Sequence, residues 1–151
     1  MTILDALDAT RDETLRHFAL GPRALGAVPA PGRWSVRFLL HHLADAETVL
    51  AERIRRILSE PRPLLSAFDQ DAWSRALDYA KQPLALSRDR FAATRAGTRF
   101  LAEQWYESRG HLEWVHSETG VRTLRDEFDK VAAHNEHHLR DIRAALATLR
   151  D

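Results

Sequence analysis

Two short strings hold the residues best suited to chemistry, His41-His42-Leu43-Ala44-Asp45 and His134-Asn135-Glu136-His137-His138. A neutral imidazole nitrogen is a good ligand for a divalent cation, and two histidines four residues apart on a helix lie one turn above the other, within reach of one ion. His134 and His138 have that spacing. With Leu124, Phe128, Val131, Ile142 and Ala145 as the inward stripe, His138 falls about 30° and His134 about 70° to the same side of its centre. His137 falls about 130° away, toward solvent. Two imidazoles buried on one flank without a shared partner are costly to desolvate, which favours a metal or a polar network over two separate core histidines.

A third ligand must come from another helix, because two histidines leave too many coordination positions open. Against the stripe Leu39, Leu43, Leu50 and Ile54, His42 lies at the edge, about 90° from the centre, and His41 nearly opposite. His42 is therefore the candidate. Asp45, at i+3 from His42, is a candidate acceptor behind it, and Glu47, about 50° from the stripe centre, is a candidate inward acid or base. The plain alternative for both is a carboxylate on a solvated or loosely packed edge. His41 and His137 read as surface or supporting positions. His17, His111 and His116 carry no spacing signal, although His111 and His116 fall where they can roof the end of a bundle, and Trp34 and Trp105 read as packing residues. The protease motif H-E-x-x-H fails at Asn135, where its general base would stand. The di-iron pattern fails too, since it needs Glu-x-x-His on each of two helices.

Four amphipathic segments position these residues. The periodicity predicts helices over about Ile3 to Leu20, from an N-cap at Ser35 to about Ser59, over Leu84 to Tyr106, and from a capping box at Thr123 and Asp126 to about Leu149. A short helical piece over Asp71 to Ala80, with Trp73, Leu77 and Ala80 together, decorates a long crossover. Gly21 to Arg33 reads as connection and Glu107 to Arg122 as loop, and no segment alternates long enough to be a strand. The expectation is one all-α domain over residues 1–151, a four-helix bundle.

Composition narrows the chemistry. The chain has 151 residues, 22 Lys+Arg against 22 Asp+Glu, eight His and no Cys. That length buries roughly 68 to 70% of the unfolded surface, enough for a core without staples. Without cysteine there is no disulfide, thiol nucleophile or Cys-ligated metal, so any metal site is built from His, Asp and Glu. Zero net charge argues against nucleic acid as a partner. The first residues do not read as a secretory signal, and no apolar run approaches the roughly 20 residues that span a bilayer. A soluble cytoplasmic protein with no membrane partner is expected.

Trp34-Ser35 leading into His41-His42-Leu43-Ala44-Asp45, then Gly120-Val121-Arg122-Thr123-Leu124 leading into His134-x-x-x-His138, resembles the DinB/YfiT-like superfamily of metal-binding bundles. The resemblance covers nearly the whole chain in order and spacing. It implies an up-down-down-up bundle, frequent homodimers, and one divalent metal, usually zinc or nickel, on His42, His134 and His138. Members with assigned activities include transferases using low-molecular-weight thiols such as bacillithiol or mycothiol, and a related maleylpyruvate isomerase; others are described as metal-dependent hydrolases. The expected function is thus a metal-dependent hydrolase or thiol S-transferase acting on a small molecule. With no cysteine in the chain, any thiol must arrive as a substrate. The rival is a non-enzymatic stress-response bundle in which the ion is structural.

Overall fold

A computed structural model of the chain describes residues 1–150. Four long helices form its body: α1 (Ile3–His17), α3 (Val36–Ser59), α5 (Leu84–Trp105) and α6 (Leu124–Ala147). Two short helices, α2 (Pro22–Leu25) and α4 (Gln70–Ala76), and three strands, β1 (Leu64–Leu65), β2 (Glu113–His116) and β3 (Gly120–Thr123), lie in the connections.

The helix starts follow from local chemistry. Ser35 accepts from the Phe38 amide at the head of α3. Thr123 and Asp126 close both arms of a capping box on α6, and Thr2 with Asp5 builds a second one on α1. Each supplies acceptors to backbone amides that a helix leaves without partners in its first turn.

Side-chain pairs fix the directions of the helices. Asp45 meets Arg90, Glu47 meets Arg95, and Arg109 donates to the Leu58 carbonyl, so α3 and α5 run parallel. His42 meets His138 while Arg53 meets Glu127, so α6 runs against α3. Phe18 packs on Phe91 and Asp8 on Arg99, so α1 runs against α5. This is the up-down-down-up bundle. Parallel neighbours require a return path along α3, about 36 Å at 1.5 Å per residue, which the crossover from Glu60 to Pro83 provides.

The connections differ from the sequence expectation. The segment read as loop holds a hairpin: β2 pairs antiparallel with β3, and β1 adds in parallel on the other side of β2. Strands of two to four residues are too short to show a period of two, and Gly120, which reads as a loop marker, opens β3 at φ +81° directly after the turn. The crossover helix stops at Ala76, and Trp73 and Leu77 are exposed; the buried residues of that region are Ser74 and Tyr79. A short helix, α2, occupies part of the Gly21 to Arg33 connection, and α1 ends at His17 rather than Leu20.

The core has two apolar clusters. One gathers Leu7, Leu50, Ile54, Trp114, Phe128 and Val131, the other Phe18, Leu40, Leu43, Phe91, Leu139 and Ile142. Between them lies a buried polar layer in which Arg95 donates to Glu47, Asn135, Thr10 and the Leu7 carbonyl, linking all four long helices. Among the described residues no helix is long and apolar enough to cross a membrane.

Candidate metal centre

The first turns of α3 and the middle of α6 place His42, His134 and His138 together. His42 Nε2 lies 3.1 Å from His134 Nε2 and 3.1 Å from His138 Nε2. All three rings offer a nitrogen within 4.8 Å of one another. His42 is fully buried, His138 nearly so, and His134 half-buried.

The proton count at this junction is informative. A neutral imidazole nitrogen carries either a hydrogen or a lone pair, so His42 Nε2 cannot donate to one neighbour and accept from the other. His42 Nδ1 has no hydrogen-bond partner and is buried. Three lone pairs aimed at one cation resolve the conflict, and nitrogens 3.1 Å apart can each stand about 2.0–2.1 Å from a single zinc-like ion. The donor set therefore fits a divalent metal.

Electrostatics supports the same protonation state. Burial, then the charges of His134 and His138, pushes His42 down to about 2. Burial and then His138 push His134 down to about 3. His138 is also lowered, by burial and then His137, with Asp141 acting in the opposite direction. All three rings are neutral near pH 7, the state metal ligation requires.

Neighbouring residues orient the rings. His138 Nδ1 lies 3.3 Å from Asp141 Oδ2, a carboxylate behind a ligand that fixes the hydrogen on Nδ1 and leaves Nε2 free. Phe68 stacks parallel on His42 with centroids 6.0 Å apart, and Trp34 meets the same ring edge-on at 5.3 Å. Asp141 carries a signal in the sequence, the i+3 spacing from His138. Phe68 carries none, because it sits on irregular chain.

Asp45 and Glu47 take other partners. Asp45 is buried and accepts from the Tyr79 hydroxyl and from Arg90, so it neither supports His42 nor sits on a solvated edge. Glu47 stands outside the histidine group, with both oxygens held by Arg95 at 2.6 and 2.9 Å. His41, expected at a surface or supporting position, is at neither: it is fully buried, with Nδ1 2.7 Å from Ser87 Oγ and its ring against Tyr79. Burial, then Arg37 and Arg90, lowers it to about 4. His137 is exposed, as its helical angle indicates.

Two cavities open on the centre. One of about 320 Å³ reaches His134 between α3, α6, the hairpin and the crossover. The other, about 260 Å³, reaches His138 beside Trp34, Arg33 and Asp141. Gln70, at the start of α4, borders both.

A family model described as the DinB superfamily matches residues 6–142. The chain is 28% identical over 129 residues to the "Putative metal-dependent hydrolase" OB0413 of Oceanobacillus iheyensis, covering 85% of this chain and 74% of that one. It is 30% identical over 116 residues to YfiT of Bacillus subtilis, which bears the same designation, covering 74% of this chain and 63% of YfiT. The solved structure of B. subtilis YfiT, described as having an unusual four-helix bundle topology, superposes with a TM-score of 0.87 at 20% identity, over 97% of this chain and 85% of that one.

Proposed function

The chain belongs to the DinB superfamily, and from that premise we propose that it is a metal-dependent hydrolase whose single divalent ion, zinc or nickel, is held by His42, His134 and His138. The observation that carries this reading is the convergence of three neutral imidazoles on one point, with His134 opening onto a cavity. Relatives designated metal-dependent hydrolases point the same way. An ion with three imidazole ligands keeps an open coordination position and supplies Lewis acidity and water activation near neutral pH.

The chain's own residues do the rest. Asp141 holds His138 in the tautomer that presents Nε2, and Phe68 and Trp34 fix the plane of His42. Phe68 also shields the His42 ring from water. The cavity at His134 admits a small molecule to the exposed edge of the trio.

A second reading, thiol S-transfer, is favoured by one observation: two cavities flank the trio, room for two reactants, in a chain without cysteine. The test is metal analysis of untagged protein followed by a screen of ester, amide and thiol substrates on the loaded protein. One equivalent of metal in wild type, little in His42→Ala, and metal-dependent turnover of an ester or amide are expected. Turnover only with an added thiol selects the transferase. Absence of stoichiometric metal overturns both.

A further inference from the structure

The cavity at His134 has a polarity that the metal centre does not explain. Its inner wall is apolar, with Leu50, Phe68 and Trp114. Lys130, Arg122, Arg53 and His116 share the lining, with Arg53 over the Trp114 ring at 5.8 Å and His116 edge-on to it at 5.7 Å. Two carboxylates share the lining. Glu127 is buried and already accepts from Arg53 at 3.3 Å, and Arg53 also donates to the Ser66 carbonyl at 2.7 Å. Glu118 lies on the exposed rim. Among the described residues Lys130 and Arg122 make no ion pair and no side-chain hydrogen bond, although both are partly buried.

A half-buried ammonium without a partner is costly, and most cations of this chain avoid that state by pairing. Lys130 stands one turn before His134 on α6, on the same face, and the two side chains border one space. His116 adds a donor. Its Nδ1 accepts from the Glu118 and Thr119 amides at 3.1 and 3.2 Å, which leaves the ring hydrogen on Nε2.

We infer that this cavity binds a small carboxylic acid with an apolar body, its carboxylate held by Lys130 and Arg122 and its body against Phe68 and Trp114. The inference deepens the hydrolase reading, on which it rests, by naming the substrate class: an acid whose reactive bond lies toward the histidines. Of the two basic side chains, Lys130 is the principal anchor because it is nearer in sequence and on the same helix face as His134. The apolar wall selects against small inorganic anions, which gain nothing from it.

The test uses two probes of equal size, 3-phenylpropionate and its neutral amide, 3-phenylpropionamide, titrated by calorimetry into metal-loaded and metal-free protein. Wild type is expected to bind the acid at least tenfold more tightly than the amide in both forms. Lys130→Met should remove most of that preference while leaving amide binding unchanged, Lys130→Arg should keep it, and Arg122→Gln should reduce it. Equal binding of acid and amide by wild type overturns the inference, as does a preference that Lys130→Met leaves intact. A preference lost on metal removal also overturns it, since the anion is then held by the ion. Metal stoichiometry, measured separately on the same samples, reports on the hydrolase reading alone.

Discussion

His138 and His42 are held in different ways, and the difference predicts how each responds to substitution. His138 leans on a hydrogen bond, since Asp141 sits behind its Nδ1. His42 leans on packing, between the stacked Phe68 and the edge-on Trp34, with its own Nδ1 unpartnered. Removing a carboxylate behind a metal-binding histidine typically costs 10–100-fold in affinity. Asp141→Asn is therefore expected to weaken metal binding by about that factor with little loss of thermal stability, measured by competition against a chromophoric chelator. Unchanged affinity would mean that Asp141 serves only its contacts with Arg33 and His137.

At the scale of the elements, two glycines with opposite surroundings test the packing. Gly110 lies where the chain turns from α5 toward the hairpin, and a Cβ there would overlap the Tyr106 carbonyl and crowd Arg125. Gly110→Ala is expected to lower stability by about 1–3 kcal/mol, the range for overpacking against atoms that cannot move aside. Gly97, inside α5, meets only the flexible end of Arg55, so Gly97→Ala should be neutral or gain up to about 1 kcal/mol of helix propensity. Chemical denaturation of the two variants should show opposite signs; the same sign in both would contradict this packing. The long helices were legible because caps such as Ser35 and Thr123 and stripes such as Leu124, Phe128 and Val131 act over many residues. His134 and His138 were legible for the same reason, as one turn of a regular helix. The stripe picture failed on α3, where every residue from Leu39 to Glu47 is buried. There α5, α6 and the crossover enclose the helix on nearly all sides, so the face opposite its apolar stripe meets Ser87 and Tyr79 instead of water. Distant chain supplies those partners, and local periodicity cannot report them.

At the scale of the whole molecule, the buried polar layer and the buried histidines set how the bundle responds to mutation and to acid. Arg95 donates to groups on α1, α3 and α6, so Arg95→Met leaves Glu47 buried without its cation. Losing one partner of such a pair costs about 3–5 kcal/mol, whereas Glu47→Leu together with Arg95→Met should recover much of the loss, because apolar replacements of both partners are often tolerated. A double variant no more stable than Arg95→Met in denaturant titrations would instead make the layer a requirement of this topology. Acid acts through the imidazoles. His41, His42 and His134 are lowered to about 4, 2 and 3, while the unfolded chain titrates near the ordinary histidine value of about 6.5. Between those limits the unfolded state binds more protons than the folded one, so stability rises with pH and is lost as pH falls below about 6.5. The Tm of metal-free protein should fall steadily from pH 7 to pH 5, and less steeply in His41→Asn, which has one fewer such group. Bound metal adds free energy to the folded state alone, so loaded protein should hold its Tm to lower pH until the ion is released. A metal-free Tm that is flat over this range would mean that these rings are accessible to protons in the native state, contrary to the burial seen at His41 and His42.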